Sequence, residues 1–177
     1  MEHYRFNPDI HRRRTIRLKG YDYTRPGAYF VTVCSYHREC LFGRIMNGVM
    51  ELNDAGRTVQ SVWDELPVHY GNAQLDQFII MPNHVHGIIV LTNDIVGAGL
   101  KPAPTRRHGL PEIVRAFKTF SSRRIGASRR LAGVPAWQRN YYEHIVRNEN
   151  ELFQIRRYIE SNPAHWEDDE NNPGNFR

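Results

Sequence analysis

Two histidines stand two residues apart in the stretch M-P-N-H-V-H-G-I-I-V, residues 81–90. Alternate residues of a strand point to one face, so His84 and His86 present two imidazoles side by side while Val85 turns into the opposite layer. Such a pair is a two-tooth chelate for a divalent ion. A catalytic ion usually takes at least one more protein ligand and keeps positions open. No H-E-x-x-H occurs, and Cys34 and Cys40, the only cysteines, lack metal-type spacing, so a third ligand has to come from elsewhere. The segment R-R-Y-I-E-S-N-P, residues 156–163, offers one. Tyr158 and Asn162 are i and i+4 on an expected helix and stack on one face. Asn162 brings a hard carbonyl oxygen and Tyr158 a phenolic oxygen. Taken singly, an H-x-H is as readily a structural or surface pair, and such a tyrosine as readily a packing residue.

The elements that must position these groups follow from periodicity. Residues 27–36 alternate as a strand. A second strand near 41–46 turns at Asn47-Gly48, the favoured two-residue hairpin, into V-M-E-L. Asn53 or Asp54 can cap a helix with Val59, Val62, Trp63 and Leu66 at helical spacing. Strands at 75–81 and 84–91 flank the tight Pro82-Asn83 connection, the second apolar on both faces like a central strand. Residues 92–109 carry Gly and Pro without periodicity and read as a mobile loop. A basic amphipathic helix follows, with Leu110, Ile113, Val114, Phe117 and Phe120 inward. An aromatic strand is expected over 136–146. Asn148 with Glu151 forms a capping box for a last helix carrying Leu152, Ile155 and Ile159, which should stop at Asn162 before Pro163. This order predicts an α+β fold, helices packed on an antiparallel sheet.

The 177 residues suit one domain, expected over 1–165, with 166–177 an acidic, disordered tail. The net charge of +5 is unevenly spread. Residues 1–25 hold seven Lys/Arg against three acids, and residues 101–130 hold nine against Glu112 alone. Two such clusters favour a polyanionic partner such as nucleic acid. No apolar run reaches the ~18 residues of a membrane span, no apolar region follows the basic N-terminus as in a signal peptide, and two unpaired cysteines suit a reduced, cytoplasmic protein.

Three stretches in sequence, M-P-N-H-V-H-G-I-I-V, W-Q-R-N-Y-Y-E-H-I-V-R-N and R-R-Y-I-E-S-N-P, resemble the REP-associated tyrosine transposases. These are relatives of the single-tyrosine insertion-sequence transposases in the HUH endonuclease superfamily, and the likeness spans roughly residues 20–165. It implies a ferredoxin-like or RRM-like sheet, Mg²⁺ or Mn²⁺ held by His84, His86 and Asn162, and Tyr158 as nucleophile. His144 matches a family position without a firm role. The implied activity is cleavage and rejoining of single-stranded DNA at a hairpin through a 5′-phosphotyrosine, with no membrane partner and with monomer and homodimer both open. Arg12, Arg13, Arg14, Arg17, Arg115, Lys118, Arg123 and Arg124 would contact the DNA backbone. Tyr141 and Tyr142 are rival nucleophiles, ranked lower for lack of an Asn at i+4. A DNA-binding relic without activity, and a zinc-dependent hydrolase built on the two histidines, are the competing readings.

Overall fold

The computed structural model describes residues 18, 20–93, 107–129 and 133–175. In chain order the main elements are β1 (Gly27–Cys34), a hairpin of β2 (Gly43–Met46) and β3 (Val49–Leu52), and α1 (Asp54–Asp64) with a one-turn α2 (Leu66–His69). Then come β4 (Ala73–Ile80), β5 (His84–Leu91), α3 (Leu110–Arg129), β6 (Tyr142–Ile145) and α4 (Glu149–Ser161). The larger sheet has the order β4-β5-β1-β6, antiparallel throughout. With α1 between β1 and β4, and α3 between β5 and β6, this is the β-α-β-β-α-β wiring of a ferredoxin-like α+β fold, as expected.

Strand alternation gives the sheet two different faces. Tyr29, Val31, Val33, Val85, Ile89 and Leu91 meet α1 and α3 through Val59, Val62, Trp63, Ile113, Val114 and Phe117. The other face carries Phe30 and Ile88 and is covered by Leu152, Ile155 and Ile159 of α4. Gly87 explains the glycine that follows the histidine pair: a Cβ there would lie 2.6 Å from the Trp63 ring, which stacks on Phe78 at 4.2 Å. Phe120 is not inward as expected but 43% exposed. The buried stripe of α3 runs from Phe117 to Ser121 and Ile125, steps of four residues that stay on one face while Phe120 rotates away.

Both ends of α4 are tied to the sheet. Asn148 caps it by accepting from the Glu151 N–H at 2.9 Å. The return half of the expected capping box falls one residue earlier, because Glu151 accepts from the Arg147 N–H at 2.6 Å and its other oxygen meets His144 Nε2 at 2.7 Å. Further along, the Arg156 guanidinium grips both Asp76 carboxylate oxygens, at 2.9 and 2.5 Å. Asp76 lies in the irregularity between Leu75 and Phe78 of β4, where an inserted residue keeps both of those side chains facing the α1 and α3 layer. Asn162 follows the helix as its C-cap, as expected.

Three expectations are corrected. The aromatic strand is split: Trp137 forms an isolated bridge with Ser35 and donates to Ser121 Oγ at 2.8 Å, and pairing resumes at Tyr142. In the gap, the Lys118 ammonium donates to the carbonyls of Gln138, Arg139 and Asn140 at 2.5, 3.0 and 3.2 Å. Lys118 is therefore a structural clasp rather than an outward cation. The acidic end is folded through Asn175, in turns at Asn162–Asp168 and Pro173–Asn175, with Asn171 buried. Local turns hold most of its backbone, and the Glu170 and Asn171 carbonyls accept from Arg38 and Asn83 in the body of the fold, which a run of four acids gives no hint of. Of the loop 92–109, residues 94–106 lie outside the described residues. Its two stems are joined by Asn72, whose carbonyl accepts from Thr92 and whose side chain bonds both backbone groups of His108.

Removing the clasp leaves three carbonyls to find new partners. Lys118→Met should lower the unfolding free energy by about 2 kcal/mol or more, against under about 0.5 kcal/mol for the exposed Arg115→Met, both read from urea denaturation.

Candidate functional site

The histidines enter β5 at the end where β1 finishes. The register pairs His84 with Cys34 and His86 with Thr32, so all four side chains share the face covered by α4. His84 is 0% and His86 2% exposed. Their Nε2 atoms face each other at 3.0 Å. Phe30 stacks on the His86 ring, and Trp166 tilts over His84.

The outer partners decide which nitrogen is bare. Asn83 donates from Nδ2 to the carbonyls of Arg38 and Asn171, at 3.0 and 2.6 Å. Its Oδ1 is thus the atom facing His84 Nδ1 at 2.8 Å, and an amide oxygen only accepts. His84 must carry its hydrogen on Nδ1, which leaves Nε2 as a lone pair. His86 Nδ1 meets Thr32 Oγ1 at 2.8 Å, an arrangement that allows the same tautomer. Metal-binding histidines are oriented by such second partners.

α4 brings the two remaining groups. Tyr158, a residue 43% exposed, places its hydroxyl 3.4 Å from His86 Nε2. Asn162 is 5% exposed, and its Oδ1 is buried with no hydrogen-bond partner among the described residues. His84, His86 and Tyr158 thus meet, and Asn162 reaches the Tyr158 hydroxyl from the end of the same helix. One candidate ligand was missed. Asp169, from the segment read as a tail, lies with a carboxylate oxygen 3.8 Å from His84 Nε2, and its ligand atom and those of the two histidines lie within 4.8 Å of one another. Two inward-facing imidazole nitrogens, that of His84 a lone pair, with a buried amide oxygen and a carboxylate form a donor set that fits a divalent cation. The imidazoles suit Mn²⁺ better than Mg²⁺.

Burial sets the electrostatics. It holds the His84 imidazole well below its usual pKa, reinforced by His86, and pushes His86 down to about 3. The Asp169 carboxyl is raised by the same loss of water. Burial also raises the Tyr158 phenol, and the Asp169 carboxylate adds to this, while a hydrogen bond from Asn162 opposes it.

The remaining candidates lie apart. His144 is committed to Glu151 at the start of α4. Tyr142 packs on Phe30 at 6.2 Å, and Tyr141 sits against the opposite core. Arg115 and Arg123 are exposed on α3, across the sheet from the histidines. Arg124 is held in a fork by Glu65 at 2.7 and 2.6 Å, which brings the Glu65 carboxyl down to about 2. Arg12, Arg13, Arg14 and Arg17 lie outside the described residues. No helix among the described residues is long and apolar enough to cross a membrane.

No protein-family profile matches the chain. An uncharacterised protein of Haemophilus influenzae is 42% identical over 175 residues, 94% of this chain and 96% of its own length. A second protein of that organism, described as a candidate REP-associated tyrosine transposase, is 23% identical over 143 residues, 81% of this chain and 73% of its own. Among solved structures, a REP-associated tyrosine transposase bound to a REP hairpin has a TM-score of 0.56 at 18% identity, over 84% of this chain and 73% of that one. At this identity the structural likeness concerns the fold. The resemblance carried by the three sequence stretches is borne out by both comparisons.

The buried imidazoles make stability depend on pH in one direction. Unfolding frees His86 to protonate near its ordinary value of 6.5, against about 3 when folded. Below pH 6.5 the unfolded chain binds more protons, so stability is retained above that pH and lost as pH falls. His86 alone should remove about 2 kcal/mol between pH 7.5 and pH 5, and His86→Gln should flatten that part of the metal-free profile in denaturant titrations.

Proposed function

We propose, because this chain belongs to one family with the 42% identical Haemophilus influenzae protein and has the fold of a REP-associated tyrosine transposase, that it is a metal-dependent nuclease and strand transferase for single-stranded DNA. One observation carries the reading: a tyrosine hydroxyl 3.4 Å from the buried nitrogen of a facing imidazole pair, beside an amide oxygen with no partner among the described residues. A packing tyrosine needs neither neighbour.

His84, His86 and Asn162 would hold a divalent cation, Mn²⁺ or Mg²⁺, with Asp169 as a further oxygen ligand. The bound ion would supply positive charge to the scissile phosphate and lower the pKa of a phenol that burial otherwise raises. Tyr158 is the nucleophile. Its oxygen forms a bond to phosphorus as the bond to the 3′-oxygen breaks. The phenolic proton is lost, and the departing 3′-oxygen takes one up. The product is a 5′-phosphotyrosine and a free 3′-hydroxyl, and reversal by another 3′-hydroxyl rejoins the strand without a nucleotide cofactor. Asn162 serves twice, its amide hydrogen toward the phenol and its carbonyl oxygen toward the ion. α4, anchored at His144 and Asp76, fixes the tyrosine against the sheet, which supplies the positioning that in-line attack needs. The partial exposure of Tyr158 gives the strand its approach.

The REP hairpin held by the structural neighbour suggests the substrate class, a stem-loop with a flanking single strand. Arg115 and Arg123, with the arginines of residues 12–17, are proposed contacts to its backbone, and Arg124 joins them only if it leaves Glu65.

The full-length protein, mixed with end-labelled single-stranded hairpin DNA from sequence flanking its own gene and with Mn²⁺, should give a DNA–protein adduct on a denaturing gel. Tyr158→Phe should reduce that adduct to background, while Tyr141→Phe and Tyr142→Phe should retain it. Cleavage that survives Tyr158→Phe would instead assign the histidines and Asp169 to a hydrolase. Binding without an adduct would mark a DNA-binding relic.

A further inference from the structure

Asn83 makes more contacts to the site than any sequence pattern assigns it. It is fully buried between the turn after β1 and the C-terminal segment. Its side chain uses three atoms in three directions: Oδ1 to His84 Nδ1, one amide hydrogen to the Arg38 carbonyl and the other to the Asn171 carbonyl. The turn that offers the Arg38 carbonyl holds two non-glycine residues at positive φ, His37 at 54° and Arg38 at 56°. Such a conformation is maintained only where its surroundings over-determine it. On the other side, Asn171 accepts from Cys34 Sγ at 3.7 Å, and its N–H donates to Asp169 Oδ1 at 2.6 Å. That hydrogen bond orients the carboxylate whose second oxygen faces His84.

We infer that Asn83 is a positioning residue that joins the metal site to the C-terminal segment 169–171. One amide fixes His84 as the Nδ1–H tautomer, aiming its Nε2 lone pair inward, and docks the segment that delivers Asp169 to the same point. Ion binding and docking of 169–171 are then a single linked equilibrium. Each stabilises the other, by the same factor in both directions. The inference rests on the reading that His84 and His86 hold a divalent cation, but the tautomer and the docking are properties of the chain alone.

Cys34 fits the same picture. Burial raises its thiol pKa to about 11, so it stays a neutral donor to Asn171 beside the histidines.

The test uses the full-length protein with Mn²⁺ alone as the probe. Two-bond proton–nitrogen correlation of ¹⁵N-histidine-labelled, metal-free protein at pH 7.5 should show His84, assigned with His84→Gln, as the Nδ1–H tautomer. The Nε2–H tautomer would overturn the proposal, whatever the variants do. Asn83→Asp keeps an acceptor for His84 but turns an oxygen toward the Arg38 and Asn171 carbonyls. It should speed proteolytic cleavage within 166–172 about tenfold and weaken Mn²⁺ binding by about tenfold or more, although its added negative charge alone would tighten binding. Asp169→Asn should weaken Mn²⁺ to a similar extent, and saturating Mn²⁺ should protect the wild-type segment from cleavage. An Asn83→Asp protein as protease-resistant as wild type, or one that binds Mn²⁺ as well, would refute the link. Failure of wild type to bind Mn²⁺ would overturn the metal reading itself, whereas binding without protection would overturn the coupling alone.

Discussion

Two imidazole nitrogens 3.0 Å apart, both side chains shut away from water, form the contact around which this end of the molecule is built. Two lone pairs at that distance repel. Either one ring carries a hydrogen between them, or a cation draws both. Asn83 removes half of that freedom by requiring the hydrogen of His84 on the outer nitrogen. The inner edge of the pair is thereby prepared for a ligand that accepts electron pairs.

Much of the surrounding architecture supports this arrangement. Antiparallel pairing of β5 with β1 sets Thr32 beside His86 and Cys34 beside His84, so the parity of two strands fixes four side chains at once. Gly87 lets Trp63 close on the opposite face directly behind the site. The α4 helix is held at its first turn by His144 and Glu151 and further along by Arg156 and Asp76, and between these clamps and the turn after it the helix presents Tyr158 and Asn162. Residues 166–171 close the remaining side with Trp166, Asp169 and Asn171. A dry, shaped pocket is what gives charge its strength there, because nearby dipoles and ions act at low effective dielectric.

Local periodicity carried much of this into the sequence. The alternation of a strand put His84 and His86 on one face, the helical repeat put Tyr158 over Asn162, and Asn53, Asn148 and Asn47-Gly48 marked caps and a turn by their own chemistry. What could not be read depends on contacts far apart in the chain. Lys118 looks like any solvated cation on an amphipathic helix until the split in the aromatic segment turns three carbonyls toward it. Asp169 is one of four consecutive acids, and only the docking of Asn171 on Asn83 singles it out. Arg124 is claimed by Glu65, 59 residues away. Phe120 was misplaced for a simpler reason: a bulky aromatic at a plausible step drew the stripe, whereas a small serine at 121, receiving the Trp137 indole N–H, is the residue that continues it.

The account stands or falls on whether the buried pair binds an ion through both rings. Pulsed electron paramagnetic resonance of Mn²⁺ added to the full-length protein counts directly coordinated nitrogens. Two histidine ¹⁴N couplings are predicted, falling to one in His84→Gln and in His86→Gln. A Mn²⁺ signal without nitrogen coupling, unchanged in both variants, would place the ion elsewhere and leave the histidine pair as a neutral hydrogen-bonded element of the core.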